Sequence, residues 1–331
     1  MKNIPRIYFD NKVLRILTQS YPDGTNQEQL AKRAEKLVET ISRQIGLDLF
    51  EKDYAPIWTV GIWLEFVGDG RKLFNQLISQ YQKPRLGKYP STTKEIMELI
   101  QAYRNSLMEC AVKLVRIEDI KSSIEKQRLY SSGHVGKEIA DYILIHPNLR
   151  TGSQQDLTPL FLDIITFLVD EAMQQELSFL FKKLDRNIAQ EIFEQNCQSM
   201  LSRFFVDKYN AGHLSRLVLK YYEFLTGDAL IDSNKDLADG DCVHLPFGQW
   251  YDKDLINAKK PDRIHVVTFD QILKQRLQIY KNAIYPLRSR FFPGKKFASG
   301  IVHCIDNDLS SGKIIKVSDI RVNKKGALLF L

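Results

Sequence analysis

Acidic side chains follow several apolar, strand-like segments of this 331-residue chain. Asp10 ends the run RIYFD and Asp270 ends the run HVVTFD, and in both cases a helix-like pattern starts directly behind the acid. Glu65 follows the apolar run APIWTVGI in a similar way. Helix capping is an equally simple role for Asp10 alone. The recurrence favours a shared cation instead, because neighbouring carboxylates repel one another.

A further acidic cluster, Asp236, Asp239 and Asp241, precedes the apolar run CVHLPF. Asp241 is the first choice for a metal ligand and Asp239 the second, although one or two of the three could simply cap the following helix. Carboxylate oxygens without histidine suit Mg²⁺ or Mn²⁺. Two such ions can activate water and stabilise the leaving oxygen of a phosphodiester, so the set predicts metal-dependent hydrolysis.

The elements that must position these acids are predicted to form an α/β framework. Apolar patterning predicts strands at 6–10, 55–62, 263–269, 299–305 and 312–322, with helices at 12–19 and 27–46. Residues 71–227 carry helical spacing almost throughout and are interrupted only over 131–155. Parallel neighbouring strands end at the same edge of a sheet, so Asp10 and Glu65 are expected to meet there.

The order of these patterns also predicts the domain organisation. Strand signals occur only in the two ends of the chain, so residues 1–70 and 228–290 are expected to form one discontinuous α/β domain. Residues 71–227 are then a helical insertion lobe, which could bind a protein partner. Residues 291–331 are expected to form a small basic β appendage.

The basic charge of the chain is concentrated near its carboxyl end. Residues 271–331 hold 12 Lys or Arg and three Asp, whereas the whole chain has a formal net charge of +7. Aromatic and basic side chains alternate there, as in Arg288, Arg290, Phe292, Lys295 and Lys296. Cations beside exposed rings suit single-stranded nucleic acid, although a solvated basic face is an equally simple reading.

Composition and hydropathy exclude several classes of protein. Hydrophobic residues make up 44% of the chain and charged residues 26%, which is typical of a globular protein. No secretory signal pattern is present at the start. The most apolar stretch, 157–169, contains Asp163 and is shorter than the ~20 residues that span a bilayer. No membrane partner is therefore expected. The four cysteines form no CxxC pair, which indicates a cytoplasmic protein.

Taken in order, YFDNKVL, APIWTVGIWLEFVG, the DGD cluster and HVVTFDQIL resemble the PIN (PilT N-terminal) domain family of metal-dependent nucleases. The resemblance covers roughly 1–70 and 228–285. It implies a PIN-like parallel sheet with flanking helices. It also implies Mg²⁺ or Mn²⁺ ligands at Asp10, Glu65, Asp241 and Asp270, with Asp239 as the alternative to Asp241. Thr268 would hydrogen-bond a ligand carboxylate or the attacking water.

The resemblance therefore predicts an endoribonuclease that cleaves single-stranded RNA, such as a toxin or an antiviral defence effector. A DNase, or an inactive module that binds nucleic acid and a protein partner, is the alternative. A different resemblance lies in RLYSSGH, which fits the Arg-x5-His pattern of metal-free helical HEPN ribonucleases through Arg128 and His134. About one such match is expected by chance in this chain.

Overall fold

In the computed structural model of the chain, the described residues are 5–18, 27–51, 54–68, 70–85, 90–146, 149, 156–192, 194, 264–270 and 301–305. The backbone of three short strands, 314–316, 320–322 and 328–330, is described as well. Within these limits the protein has a mixed α/β fold, mostly helical, built on a small sheet with four parallel strands.

The sheet has the strand order β2-β1-β3-β4-β5. Its members are β1 (Arg6–Phe9), β2 (Ala55–Pro56), β3 (Ile264–Thr268), β4 (Ile301–Ile305) and β5 (Ile314–Lys316). The first four strands are parallel and β5 pairs with β4 in the antiparallel sense. Strands β6 (Ile320–Val322) and β7 (Leu328–Phe330) form a separate antiparallel pair.

The central position of β1 and β3 explains their composition. Ile7, Tyr8, Val266 and Val267 are fully buried, because helices cover both faces of a parallel sheet and its inner strands meet water on neither side. The pairing register places Phe9 beside Val267. The residues that follow, Asp10 and Thr268, therefore lie next to each other at the carboxyl ends of the two strands.

Two helices follow the first two strands. Helix α1 (Asn11–Leu17) starts directly after Asp10 and buries Val13, Leu14, Ile16 and Leu17 against α2 (Gln27–Ile45) and the sheet. Helix α3 (Val60–Val67) starts after Thr59, whose hydroxyl accepts the Ile62 amide at 3.1 Å. Gly68 ends α3 in the left-handed region at φ 80°, where a side chain would be strained.

The remaining described helices pack beside the sheet. They are α4 (Gly70–Gln80), α5 (Thr93–Leu114), α6 (Ile117–Tyr130), α7 (His134–Leu144) and α8 (Thr158–Phe181). Residues 186–192 are also helical. Helix α8 contacts α3, α4, α5 and α6, so its apolar residues are buried around most of its circumference.

One continuous cluster of buried residues joins the sheet to these helices. It runs from Ile7 through Trp58 and Phe66 to Leu107 and Phe167. Helix α7 approaches α1 closely at Gly136, where a Cβ atom would lie 2.5 Å from the Leu17 carbonyl oxygen. The predicted division between an α/β domain and a helical lobe over 71–227 stays a prediction, because residues 195–263 lie outside the described residues.

Two predicted element boundaries are wrong. The predicted strand at 55–62 ends at Pro56, because Thr59 caps α3 and the apolar run behind it forms a fully buried helix. The predicted break over 131–155 contains α7. The range 291–331, predicted to form a separate appendage, contains β4 and β5, which extend the central sheet.

Candidate active site

Asp10 lies at the carboxyl end of β1 and is the N-cap of α1. Its backbone N–H donates to the Val267 carbonyl at 2.9 Å, which continues the pairing with β3 for one more residue. Its Oδ1 accepts the Asn11 backbone N–H at 2.6 Å. One contact of this half-buried carboxylate is therefore a helix cap. A second contact joins it to a residue of the neighbouring strand β3.

Thr268 makes that second contact. Its Oγ1 donates a hydrogen bond to Asp10 Oδ2 at 2.7 Å and accepts the Asp270 backbone N–H at 3.0 Å. The predicted hydrogen bond from Thr268 to an acidic side chain is therefore present. Thr268 is fully buried, so its hydroxyl orientation is fixed by these two partners and the Asp10 carboxylate is held in one position.

Asp270 follows Thr268 and is half-buried at the same edge of the sheet. The thiol of Cys304, which pairs with Thr268 across β3 and β4, donates to the Asp270 carbonyl oxygen at 3.7 Å. The ends of three parallel strands thus contribute Asp10, Thr268, Asp270 and Cys304 to one edge. Open α/β sheets bind their ligands outside this edge, beyond the carboxyl ends of the strands.

Asn11, which follows Asp10, belongs to this edge although the sequence analysis did not assign it a role. Its side-chain Oδ1 is buried and has no hydrogen-bond partner among the described residues. An unpaired buried amide oxygen costs free energy unless a further group satisfies it. It is the same hard oxygen type that Mg²⁺ and Mn²⁺ prefer. The only sequence signal for Asn11 is its position directly after Asp10 and shortly before the apolar pair Val13 and Leu14.

Glu65 lies in the sixth position of α3 rather than at a strand end. The backbone carbonyls of Glu65 and Phe66 accept hydrogen bonds from Arg15 Nη2 at 2.9 and 3.2 Å. Arg15 belongs to α1, five residues after Asp10. A cation at the carboxyl end of a helix is favourable, and this contact fixes the end of α3 relative to the helix that starts at Asp10.

No three His, Cys, Asp or Glu side chains of the described ranges are grouped so that they could hold a metal ion. Asp10, Glu65 and Asp270 therefore do not form a complete cage among themselves. The predicted fourth acid, chosen from Asp236, Asp239 and Asp241, lies outside the described residues. The same is true of the predicted nucleic-acid contacts Arg288, Arg290, Phe292, Lys295 and Lys296.

Two histidines away from the sheet edge, His146 and His265, are buried. His265 on β3 stacks on His303 of β4, with 3.0 Å between His265 Nδ1 and His303 Nε2. His146 follows α7 and its Nε2 lies 2.5 Å from Asp163 Oδ2 on α8. The Trp58 ring packs edge-on against His146 with 4.8 Å between ring centroids. The ring of each of these histidines therefore has a partner from another element of the fold.

The Arg-x5-His pattern is divided between two helices. Arg128 is near the end of α6 and forms a 3.3 Å ion pair with Asp141, whereas His134 begins α7 and lies 3.5 Å from Glu138. The His134 side chain is 72% exposed. Each residue has its own acidic partner, so the structure gives no support to a metal-free ribonuclease site built from Arg128 and His134.

Comparison with known proteins gives no relative. No protein-family model, curated protein or solved structure matches the chain significantly. The resemblance to PIN domains therefore rests on the sequence motifs and stays a prediction. Among the described helices, none combines the length and apolar character that a membrane span requires.

Proposed function

We propose that the protein is a metal-dependent nuclease whose site lies at the carboxyl ends of β1 and β3. The observation that carries the proposal is the hydrogen-bonded series Asp10–Thr268–Asp270, in which one buried hydroxyl contacts both acidic positions. The series joins two neighbouring parallel strands at the edge where α/β sheets bind ligands. It also matches the order in which the PIN-like motifs occur along the chain.

The chemistry of the oxygen atoms at this edge fits Mg²⁺ or Mn²⁺. Asp10 and Asp270 supply carboxylates, and the buried amide oxygen of Asn11 has no hydrogen-bond partner within the described part of the chain. The predicted metal ligands remain Asp10, Glu65, Asp270 and Asp241, with Asp239 as the alternative to Asp241. When bound, the cation would supply an activated water and stabilise the leaving oxygen of a phosphodiester.

The residues of the chain have separate roles in this proposal. Thr268 holds the Asp10 carboxylate and leaves its orientation unchanged when ligands exchange, because the hydroxyl is itself fixed by the Asp270 N–H. Asp10 also anchors the start of α1, whose Arg15 binds the end of α3. A shift of the Asp10 backbone would therefore be opposed by both β3 and α3.

Single-stranded RNA is the proposed substrate, and the basic aromatic segment around Arg288 and Phe292 is the proposed path to the site. Lys and Arg side chains neutralise phosphates, and aromatic rings stack on unpaired bases. The choice of RNA rests on the family resemblance. A DNase and an inactive binding module are distinct outcomes of the experiments that follow.

The deciding experiment compares the wild-type protein with Asp10→Asn. Asparagine is as good an N-cap as aspartate, so the substitution removes the charge and keeps the start of α1. We expect Mn²⁺ affinity and the cleavage of labelled single-stranded RNA to fall by more than the ~10–100-fold typical of groups that only orient a ligand. RNA binding should stay the same or tighten, because one negative charge facing the phosphates is lost.

Glu98→Gln is the matched control, because it also neutralises one carboxylate and its side chain is 67% exposed on α5. It should change neither Mn²⁺ binding nor cleavage. Cleavage that survives both Asp10→Asn and EDTA would disprove the proposal. A wild-type protein that binds RNA without cutting it would identify the binding module, and one that cuts only DNA would identify the DNase.

The segment near the carboxyl end is tested by replacing Arg288, Arg290, Lys295 and Lys296 with glutamine. Each phosphate contact on a single strand contributes about 0.7 to the slope of log K against log salt, so the slope should fall by about 3. Fluorescence anisotropy over a salt series measures it. A control variant replaces the exposed Arg33, Lys36, Lys121 and Lys182 with glutamine as well. An equal fall in slope in both variants would remove the proposed path.

A further inference from the structure

A cavity of about 410 Å³ lies between helices α3, α4, α5 and α6, apart from the candidate active site. None of Asp10, Thr268 and Asp270 lines it. Its apolar wall includes Trp63 and Val67 on α3, Leu73 on α4 and Leu114 on α5. The volume lies within the ~300–1,000 Å³ range of pockets that bind small molecules, and apolar walls with a few polar groups are typical of them.

Three cationic side chains surround this cavity. They are Lys72 on α4, Lys113 in the last turn of α5 and Arg116 in the turn before α6. All three are exposed, and none forms a salt bridge within the described ranges. Elsewhere in the helical region, cations such as Arg104 and Arg128 face carboxylates at 3.3 Å. The charges of Lys72, Lys113 and Arg116 are therefore available to a ligand in the cavity.

The start of α6 lies at the same place, and its first turn carries Glu118 and Asp119. Arg116 is the N-cap of α6, and no side chain caps the helix at this position. The first N–H groups of a helix carry partial positive charge and favour an anion. The hydroxyls of Ser122 and Ser123 also line the cavity, and Asp119 is its single carboxylate. Three cations against one carboxylate leave the lining with a net positive charge.

We propose that this cavity binds a small organic phosphate. The phosphate would lie among Lys72, Lys113 and Arg116, and the apolar part of the molecule would contact Val67, Leu73 and Leu114. A phosphate monoester carries close to two negative charges at neutral pH. It therefore balances three cations better than a ligand with one carboxylate would. The apolar wall distinguishes this site from a simple anion site, because inorganic phosphate would leave that wall in contact with water.

The test measures binding to the full-length protein by isothermal titration calorimetry in EDTA, so that a metal at the active site cannot contribute. The probes are hexyl phosphate, 1-naphthyl phosphate and adenosine 5′-monophosphate, with inorganic phosphate and 1-naphthol as the two halves of one probe. At least one ester should bind ten times more tightly than inorganic phosphate and than 1-naphthol. If no ester does, the proposal is wrong.

The variant Lys72→Gln, Lys113→Gln and Arg116→Gln should lose that binding by at least about tenfold, because charge-assisted contacts to phosphate are lost. Its matched control, Lys36→Gln, Lys121→Gln and Lys182→Gln, has the same change in net charge at exposed positions that do not line the cavity. Equal affinity in the two variants would overturn the proposed location. The result is independent of nuclease activity, since Asp10→Asn should bind the ester as wild type does.

Discussion

Two hydrogen-bonded aspartates, one at the edge of the sheet and one among the helices, differ in what surrounds them. Asp10 is held by Thr268, a residue 258 positions away, and Asp163 is held by His146, a residue 17 positions away. In both pairs the partner is buried and the aspartate is half-buried. The first pair belongs to a series that includes Asp270, whereas the second lies beside the Trp58 ring and joins two helices.

The difference indicates two kinds of role. Thr268 is neutral, and it leaves the charge of Asp10 available for a cation, because a carboxylate can accept about four contacts through its two oxygens. The buried ring of His146 contacts Asp163 directly through Nε2 and joins two helices. The sheet-edge pair is therefore suited to binding, and the helical pair is suited to tying the end of α7 to α8. The two can be separated by experiments that measure metal affinity and stability on the same proteins.

The largest effect is expected for Thr268→Val, which replaces the hydroxyl by a methyl group of similar shape. Metal affinity should fall about 10–100-fold, because Asp10 loses the group that orients it. The free energy of unfolding should fall by about 1–3 kcal/mol, because the Asp270 N–H loses its acceptor. Mn²⁺ titration calorimetry and urea unfolding measure the two quantities.

Thr268→Ser is the matched control for that substitution, since it keeps the hydroxyl. It should retain Mn²⁺ affinity within a fewfold of wild type. If valine and serine behave alike, the hydroxyl has no part in binding and Thr268 contributes only packing.

A smaller effect, on stability alone, is expected for Asp163→Asn. The variant replaces a charged partner of the buried His146 by a neutral one and should lower the free energy of unfolding by about 1–3 kcal/mol. Asp141→Asn, which loses an exposed ion pair with Arg128, should cost less than about 1 kcal/mol. Mn²⁺ affinity should be unchanged in both. A loss of metal binding in Asp163→Asn would remove the distinction between the two pairs.

The smallest effect is expected for Asp156→Asn, at the start of the helix that carries Asp163. Hydrogen bonds from the side chain and the backbone N–H of Thr158 lower the pKa of Asp156 below its ordinary value of 3.8. A lowered pKa in the folded state gives stability that is present above the unfolded pKa and is lost as pH falls through the folded pKa. The difference in Tm between the variant and wild type should therefore be largest above about pH 4 and should shrink below it. A difference independent of pH would exclude this linkage.

The sequence predicted the sheet-edge pair well because local patterns carry its geometry. An apolar strand, an acid and a helix-like pattern follow one another both at Asp10 and at Asp270, and the two strands are parallel neighbours. Thr268 was assigned its hydrogen bond through the family resemblance, and the bond is present. Asn11 was overlooked, because an amide after an acid is also typical of an ordinary helix start.

The helical pair and the position of Glu65 could not be predicted in the same way. A continuous apolar run such as that around Trp58 and Ile62 suits either a buried strand or a buried helix, and the Thr59 cap decided for the helix. Asp163 is 17 residues from His146, so their pairing depends on how α7 packs on α8. The cavity between α3, α4, α5 and α6 likewise depends on how these helices pack, so no local sequence pattern predicts it.

The pairing of β1 with β3 sets an order of events during synthesis of the chain. Contacts within the helices are local and form early, whereas Asp10 meets Thr268 only across 258 residues. At roughly 5–20 residues per second, a ribosome needs about 13–50 seconds to make that interval. During this period Asp10 has been synthesised but Thr268 has not, so any activity that requires the pair begins only after Thr268 has been made.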